Sequence, residues 1–190
     1  MSHPWRSEPG IALLAPVATV EEAAAAAAAG AGLVDAGDDT ALVPAIRRAV
    51  SGVLVCGEHE DADLMRDADL AARTGAALIC PGADAAEAAA RRGVAAGRIL
   101  VQAAPAGIEA VVRAGWPVLA DLEGLADLEG GADLGGAAGL ARAEAAAAIC
   151  AWLGASVLRT RHVAKVRRCA DMTESILGRR PPAWAVRGLA

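Results

Sequence analysis

The chain has 190 residues, a net charge of −5 and 55% hydrophobic residues, values typical of one globular domain rather than a disordered chain. The excess of negative charge argues against a nucleic-acid partner, because phosphate binding depends on clustered Lys and Arg. The sequence contains no Asn, no Tyr and a single Lys, Lys165. It therefore excludes any mechanism that needs an Asn ligand, a Tyr acid or a second Lys.

Cysteine usage and the absence of targeting patterns point to the cytoplasm. The cysteines are widely spaced with no C-x-x-C pair, as is usual in reduced cytosolic proteins. No segment has the pattern of a signal peptide or is long enough to span a bilayer. We expect one cytoplasmic domain over residues 1–190, with terminal extensions at 1–10 and 179–190 and no membrane contact.

Strand and helix patterns alternate along the whole chain. Short apolar runs recur about every 20 residues, and each is followed by an Ala-rich helical pattern. Thr19 followed by Glu22 predicts a capped helix start, Asp61 and Asp63 predict a helix that runs through Arg73, and the last helix is predicted at 163–177. The predicted strands cover 11–17, 32–36, 52–56, 76–80, 98–102, 117–120 and 156–159.

This alternation predicts an α/β fold with a parallel sheet. An open doubly wound sheet should show a Gly-rich turn after its first strand, but Ala18 and Thr19 follow the first strand here. A TIM-barrel-like (β/α) repeat is the better match, although it requires eight strands. We therefore expect a barrel that is one βα unit short of eight.

Candidate ligand-binding residues follow the second and last predicted strands. In such barrels the working side chains stand at the carboxyl ends of the strands, and the guanidinium group of Arg can bind a phosphate through two hydrogen bonds. One interpretation is a ligand site formed by Asp35, Asp39, Arg159 and Arg161. The other is that these arginines pair around the rim with carboxylates such as Asp35, Asp38 or Asp121.

We expect no metal ion and no cofactor. Cys56, His59 and Cys80 would supply three zinc ligands if their strand ends met, but buried cysteines are more often small core residues. The acidic Gly/Leu stretch at 121–136 lacks the spacing of a calcium-binding EF-hand loop, so we interpret it as a connecting loop.

Four segments, in this order, resemble segments of the dihydropteroate synthases, the pterin-binding barrel enzymes of folate synthesis. They are GAGLVDAG at 30–37, GRILVQ at 97–102, WPVL at 116–119 and GASVLRTRHV at 154–163. The resemblance extends over about residues 11–178 and implies a barrel that takes a pterin-like or phosphorylated small molecule. It also implies that the family's fifth βα unit is deleted between Gly82 and Arg98.

Most functional positions depart from the pattern of that family. Its first-loop Asn is missing, its Asp-Pro-Gly is replaced at Gln102, and its Ser-Arg-Lys falls on 123–125, which here reads Glu-Gly-Leu. What remains is Asp35, Asp39 and Arg159, which stands at the family's anion-binding arginine, with Arg161 where the family has His.

The family's reaction releases diphosphate, which requires cations or a metal ion to stabilise the leaving group. We therefore expect no catalytic residues and a pseudoenzyme that acts as a binding or scaffold protein. Its partner would be another protein or a second copy of the chain in a homodimer. The alternative is a transferase-like enzyme of folate-type metabolism with an altered substrate.

Overall fold

The computed structural model describes Trp5, residues 10–122 and residues 137–179. Most of the acidic stretch at 121–136 and of the predicted terminal extensions thus lies outside the described residues. In the part that is described, no helix is long and apolar enough to cross a membrane.

Parallel strands close a barrel in which each strand pairs with its neighbours in chain order and the last pairs with the first. There are eight of them in the described chain: β1 (Ala12–Pro16), β2 (Leu33–Asp35), β3 (Leu54–Cys56), β4 (Leu64–Met65), β5 (Ala77–Cys80), β6 (Ile99–Gln102), β7 (Val118–Asp121) and β8 (Val157–Arg159).

Helices surround this barrel and follow all but one of the strands. They are α1 (Val20–Ala28), α2 (Leu42–Ala49), α3 (Ala68–Thr74), α4 (Ala83–Arg91), α5 (Pro105–Arg113), α6 (Ala137–Leu153) and α7 (Val163–Ile176). The predicted cap of α1 is confirmed, since the Thr19 hydroxyl accepts a hydrogen bond from the Glu22 amide at 3.1 Å. The carboxylate of Glu22 in turn accepts from the Ala18 amide at 2.7 Å.

The barrel prediction is confirmed, but the expected shortage of one βα unit is wrong. The unpredicted strand is β4, which is only two residues long, too short to show a periodic pattern. It lies where Asp61 and Asp63 predicted a helix, and Asp67 caps α3 further along the chain. No unit is deleted between Gly82 and Arg98, because α4 joins the paired strands β5 and β6 there. What is missing instead is a helix between β3 and β4.

Two layers of apolar side chains form the core. One layer fills the barrel interior, where Leu14, Leu33, Leu64 and Leu100 are almost fully buried. Trp5 belongs to the same cluster and is 1% exposed. The other layer lies between the strands and the helices, as expected for strands that are covered on both faces. The polar ends of the strands are therefore left at the mouth of the barrel.

Helix α2 covers the place where the connection between β3 and β4 has no helix. Asp63 links α2 to β3, since its Oδ2 accepts hydrogen bonds from Arg47 Nη1 of α2 at 2.6 Å and from the Val55 amide of β3 at 2.9 Å. Val43 of α2 is fully buried here. A Cβ added to Gly57, the first residue after β3, would lie only 2.6 Å from Val43 Cγ2.

Gly57→Ala should therefore lower the free energy of unfolding by about 1–3 kcal/mol, because the branched Val43 side chain has little freedom to move aside. The double variant Gly57→Ala/Val43→Ala should lose less free energy of unfolding than the two single variants lose together, because Val43→Ala removes the clashing methyl group. Urea unfolding followed by circular dichroism measures all three variants. Strictly additive losses in the free energy of unfolding would contradict a clash between the new Cβ at position 57 and Val43.

Candidate functional site

Asp35 lies at the centre of the barrel mouth. It ends β2 and is 2% exposed. Its Oδ2 accepts hydrogen bonds from Arg159 Nε at 3.1 Å and from Arg66 Nη2 at 3.0 Å. Its Oδ1 accepts from the Gly37 amide at 3.1 Å. All three donors favour the ionised carboxylate.

The pKa of Asp35 lies below its ordinary value of 3.8. Burial acts in the opposite direction and is the largest single influence. It is outweighed by the hydrogen bond and positive charge of Arg66, the Gly37 amide and the charge of Arg159 together. Asp35 is therefore ionised at neutral pH, and it depends on the two arginines to remain so.

Arg159 also binds a second carboxylate. Its Nη1 donates to both oxygens of Asp121, at 3.1 Å and 3.4 Å. The strand pairing places Asp121 beside Arg159 across β7 and β8, so the contact follows from the register of the sheet. The structure thus shows, for Arg159, the rim pairing with Asp35 and Asp121 that was one of our two interpretations.

Arg66 is a residue of the site that the sequence does not predict. It follows β4 directly, and its own amide donates to Glu58 Oε1 at 2.7 Å. The other oxygen of Glu58 accepts from the Asp67 amide at 3.2 Å. A carboxylate from the connection after β3 thus holds the backbone that presents Arg66 to Asp35. The only available signal was the short apolar pair before Arg66, which is too brief to identify as a strand.

Asp39 has a local structural role. Its Oδ1 accepts hydrogen bonds from the amides of Ala41 and Leu42, at 2.9 Å and 3.2 Å. These donors stand at the beginning of α2, where backbone amides lack acceptors within the helix. Asp39 is exposed, and its contacts stabilise the start of α2.

Arg161 lines a groove between α1 and the start of α7. The cavity has a volume of about 460 Å³, with a floor formed in part by Ala25, Ala26 and Ala29 of α1. His162 and Lys165 line it together with Arg161. Because β8 ends at Arg159, the strand alternation that would place Arg159 and Arg161 side by side does not continue to Arg161.

The cysteine thiols are protonated and do not form a metal site. Burial, followed by the negative charge of Asp35, raises the pKa of Cys56 far above its ordinary value, and burial raises the pKa of Cys150 to about 11. In the described ranges, no group of three or more His, Cys, Asp or Glu residues is placed to hold a metal ion. The zinc ligand set Cys56, His59 and Cys80 therefore does not assemble.

Comparisons with known proteins bear on this site. No family model matches the chain. An inactive dihydropteroate synthase 2 of Mycobacterium leprae is 34% identical over 83 residues, which is 44% of this chain and 28% of that protein. The protein of the same name from Mycobacterium tuberculosis is 38% identical over 80 residues, or 42% of this chain and 25% of that one. The matches thus span about a quarter of the length of these curated relatives.

Solved structures match over almost the whole chain. The structure of Mycobacterium tuberculosis Rv1207 has a TM-score of 0.76 and 26% identity, over 96% of this chain and 99% of that one. This chain has the barrel fold of the dihydropteroate synthases. The Yersinia pestis dihydropteroate synthase shows the same fold, with a TM-score of 0.73 and 16% identity over 89% of this chain and 93% of that one. At the mouth of the barrel in this chain, ion pairs join Asp35, Asp121, Arg66 and Arg159.

Asp35→Asn should lower the free energy of unfolding by about 1–3 kcal/mol at neutral pH, because Arg66 and Arg159 lose their shared anionic partner. The pKa of Asp35 is lower in the folded than in the unfolded chain. Its contribution is therefore present above the unfolded pKa and is lost as pH falls through the folded one. The difference between wild type and variant should shrink below about pH 4.

Urea unfolding between pH 7 and pH 3 measures this difference. Asp38→Asn is the matched control, since Asp38 is an exposed residue of the same loop and its substitution should change stability little at any pH. If the difference in free energy of unfolding between wild type and Asp35→Asn stays constant with pH, it would contradict stabilisation by the ion pairs of Asp35.

Proposed function

We propose that this dihydropteroate synthase-like protein is catalytically inactive and that it acts as a binding or scaffold protein, with another protein as its partner. The observation that carries the proposal is the pairing of Arg159 with Asp35 and Asp121. Arg159 stands at the family's anion-binding arginine. Here its donors are directed to the protein's own carboxylates.

Charge balance at the mouth supports inactivity. Arg66 and Arg159 contribute two positive charges to the cluster, and Asp35 and Asp121 contribute two negative charges. Release of diphosphate requires a local excess of positive charge from side chains or a metal ion. The chain's single Lys, Lys165, lies in α7 and lines the groove beside α1. The sequence contains no Asn to serve as the ligand from the first loop.

The names of the curated relatives favour the same conclusion. The matching proteins of Mycobacterium leprae and Mycobacterium tuberculosis are both called inactive.

The four described cysteines are all free thiols, which agrees with the cytoplasmic location that we propose for this chain.

Expression of the chain in a strain that lacks dihydropteroate synthase should not restore growth without added folate products, because the leaving-group stabilisers are absent. A functional synthase expressed to the same level from the same vector is the positive control. Circular dichroism of the purified chain establishes that it is folded. Restored growth would overturn the proposal of inactivity.

A second candidate is an enzyme or binder with an altered substrate, a phosphorylated or pterin-like molecule held by Arg161 apart from Asp35, Asp39 and Arg159. The observation that favours it is the groove of about 460 Å³ lined by Arg161, His162 and Lys165. Arg161 and Lys165 offer positive charge next to an apolar alanine surface, and the carboxylate of Glu22 lies in the same lining.

Isothermal titration with inorganic phosphate, phosphorylated metabolites and pterins tests this candidate. If an anion binds, Arg161→Ala should weaken it by about tenfold or more, the effect of losing one charge-assisted hydrogen bond. Arg168→Ala, an exposed arginine of α7 outside the lining residues, should leave the affinity unchanged. An absence of heat with every compound would reject this candidate.

A further inference from the structure

Arginine residues collect at the end of the barrel opposite the mouth. A helix that joins two parallel strands returns the chain to the amino ends of the strands, so its last turn stands at that end of the barrel. The ends of four consecutive helices, α2 to α5, and the approach to β6 all carry arginine there. These residues are Arg47 and Arg48 of α2, Arg73 of α3, Arg91 and Arg92 at the end of α4, Arg98 before β6, and Arg113 of α5.

The four helix ends are neighbours around the barrel. Helix α2 joins β2 to β3, and α3, α4 and α5 join the strands from β4 to β7 in order. Strands β3 and β4 pair directly, so the missing helix between them does not interrupt the ring. The arginines therefore lie along one continuous part of the amino-terminal rim.

Helix capping does not account for this distribution. Basic residues are favoured in the last turn of any helix, because they offset the partial negative charge of its free carbonyl groups. That preference applies equally to all seven helices of the described chain, yet the last turns of α1, α6 and α7 hold no basic residue. Arg179, which lies beyond the end of α7, is paired with Glu174. The arginines are thus confined to one side of the ring.

Most of this positive charge is not neutralised by carboxylates of the same chain. Arg47 pairs with Asp63 at 2.6 Å, and Arg91 pairs with Glu87 at 3.5 Å. The other five arginines form no ion pair with any described residue. We call these five the basic arc: Arg48, Arg73, Arg92, Arg98 and Arg113.

The basic arc is accessible from outside the barrel. All of its members except Arg98 are exposed. Arg98 is half-buried against the end of α3, where a Cβ added to Gly75 would lie 3.2 Å from its Nη2. That nitrogen has no hydrogen-bond acceptor among the described residues. Glu109, one turn before Arg113, is an exposed acid in this region, so the arc keeps a clear excess of positive charge.

The opposite end of the same helices is acidic. Exposed carboxylates stand in the first turns of α1, α3 and α4, at Glu21 and Glu22, Asp69, and Asp84. The chain as a whole carries a net charge of −5. An acidic ligand is therefore repelled by most of the surface and attracted to the basic arc, since complementary charge directs association and orientation.

We propose that the basic arc binds an acidic segment of a partner protein. The inference rests on the proposed role of this chain in binding another protein, and it adds the face that is used and the charge of the partner. Arginine forms charge-assisted, two-pronged hydrogen bonds with carboxylates. A segment with several Asp or Glu residues can contact the arginines of neighbouring helix ends at the same time.

A nucleic acid fits this face less well than an acidic protein segment does. Duplex DNA carries one negative charge per about 1.7 Å of its axis and extends far beyond a short contact. Its phosphates would leave the basic arc and meet the acidic remainder of the surface. A short acidic segment meets only the arc.

Fluorescence anisotropy with a labelled peptide of about ten glutamates tests the proposal on the full chain. The wild type should bind, and its affinity should fall severalfold as NaCl rises from about 50 to 200 mM. Arg73→Gln/Arg92→Gln/Arg113→Gln should weaken binding at least tenfold. The matched control Arg73→Lys/Arg92→Lys/Arg113→Lys keeps the charge and should stay within about threefold of wild type. Circular dichroism checks that all three proteins are equally folded.

Phenylglyoxal modification of arginines, read by mass spectrometry, locates the bound peptide. Saturating peptide should slow the modification of Arg73, Arg92 and Arg113 severalfold. Arg168, an exposed arginine of α7 outside the arc, should react at an unchanged rate. Protection of Arg168 without protection of the arc would overturn the proposal.

Three other results would also overturn it: no binding of the peptide by wild type, equal affinity in wild type and the glutamine variant, or tighter binding of a DNA duplex than of the peptide. Self-association in sedimentation velocity that salt and the glutamine variant both abolish would instead identify the acidic end of a second copy as the occupant. Growth of the synthase-deficient strain measures catalytic inactivity separately. A failure of the peptide to bind therefore rejects the basic arc and leaves the proposal of inactivity standing.

Discussion

A buried carboxylate at the mouth of the barrel sets the chemistry of the whole candidate site. Asp35 is 2% exposed, and a charge removed from water to this degree requires partners of opposite charge and hydrogen-bond donors. Arg159 and Arg66 meet that requirement from β8 and from the end of β4. Because Arg159 also contacts Asp121, the ion pairs connect β2, β4, β7 and β8 across the mouth. The arginine that could attract an anion is held in this network.

The missing helix after β3 explains how Arg66 reaches the site. The chain passes from β3 to β4 through a short connection, in which Glu58 binds the amides of Arg66 and Asp67. Helix α2 covers the same region through Val43, whose contact with Gly57 leaves no room for a side chain at that position. The barrel thus keeps its closed ring of strands, and this connection presents the Arg66 cation at its mouth. Barrel folds carry their function in such connections after the strands.

Most elements could be predicted because their signals are local. Short apolar runs that recur about every 20 residues predict seven of the strands, and Thr19 with Glu22 predicts the start of α1 through a cap that forms within four residues. β4 is not predicted because its two apolar residues, Leu64 and Met65, follow β3 after a short connection and fall outside the spacing of about 20 residues that marks the other strands. Asp39 is a site candidate because it follows the second strand, and Arg161 because strand alternation would place it beside Arg159. In the structure, Asp39 binds the amides of Ala41 and Leu42 at the start of α2, and Arg161 follows the end of β8.

The barrel class and the likeness to dihydropteroate synthases follow from the amino-acid sequence, because strand patterns and motifs are formed by near neighbours in the chain, and the absence of Asn follows from composition alone. Tertiary structure decided which charges meet. Asp35 and Arg159 are 124 residues apart in sequence, and only the closing of β8 onto β1 brings them within hydrogen-bond distance. From the sequence alone, Arg159 could face either a ligand or a carboxylate. Closure of the barrel places Asp35 and Asp121 within reach of its guanidinium group.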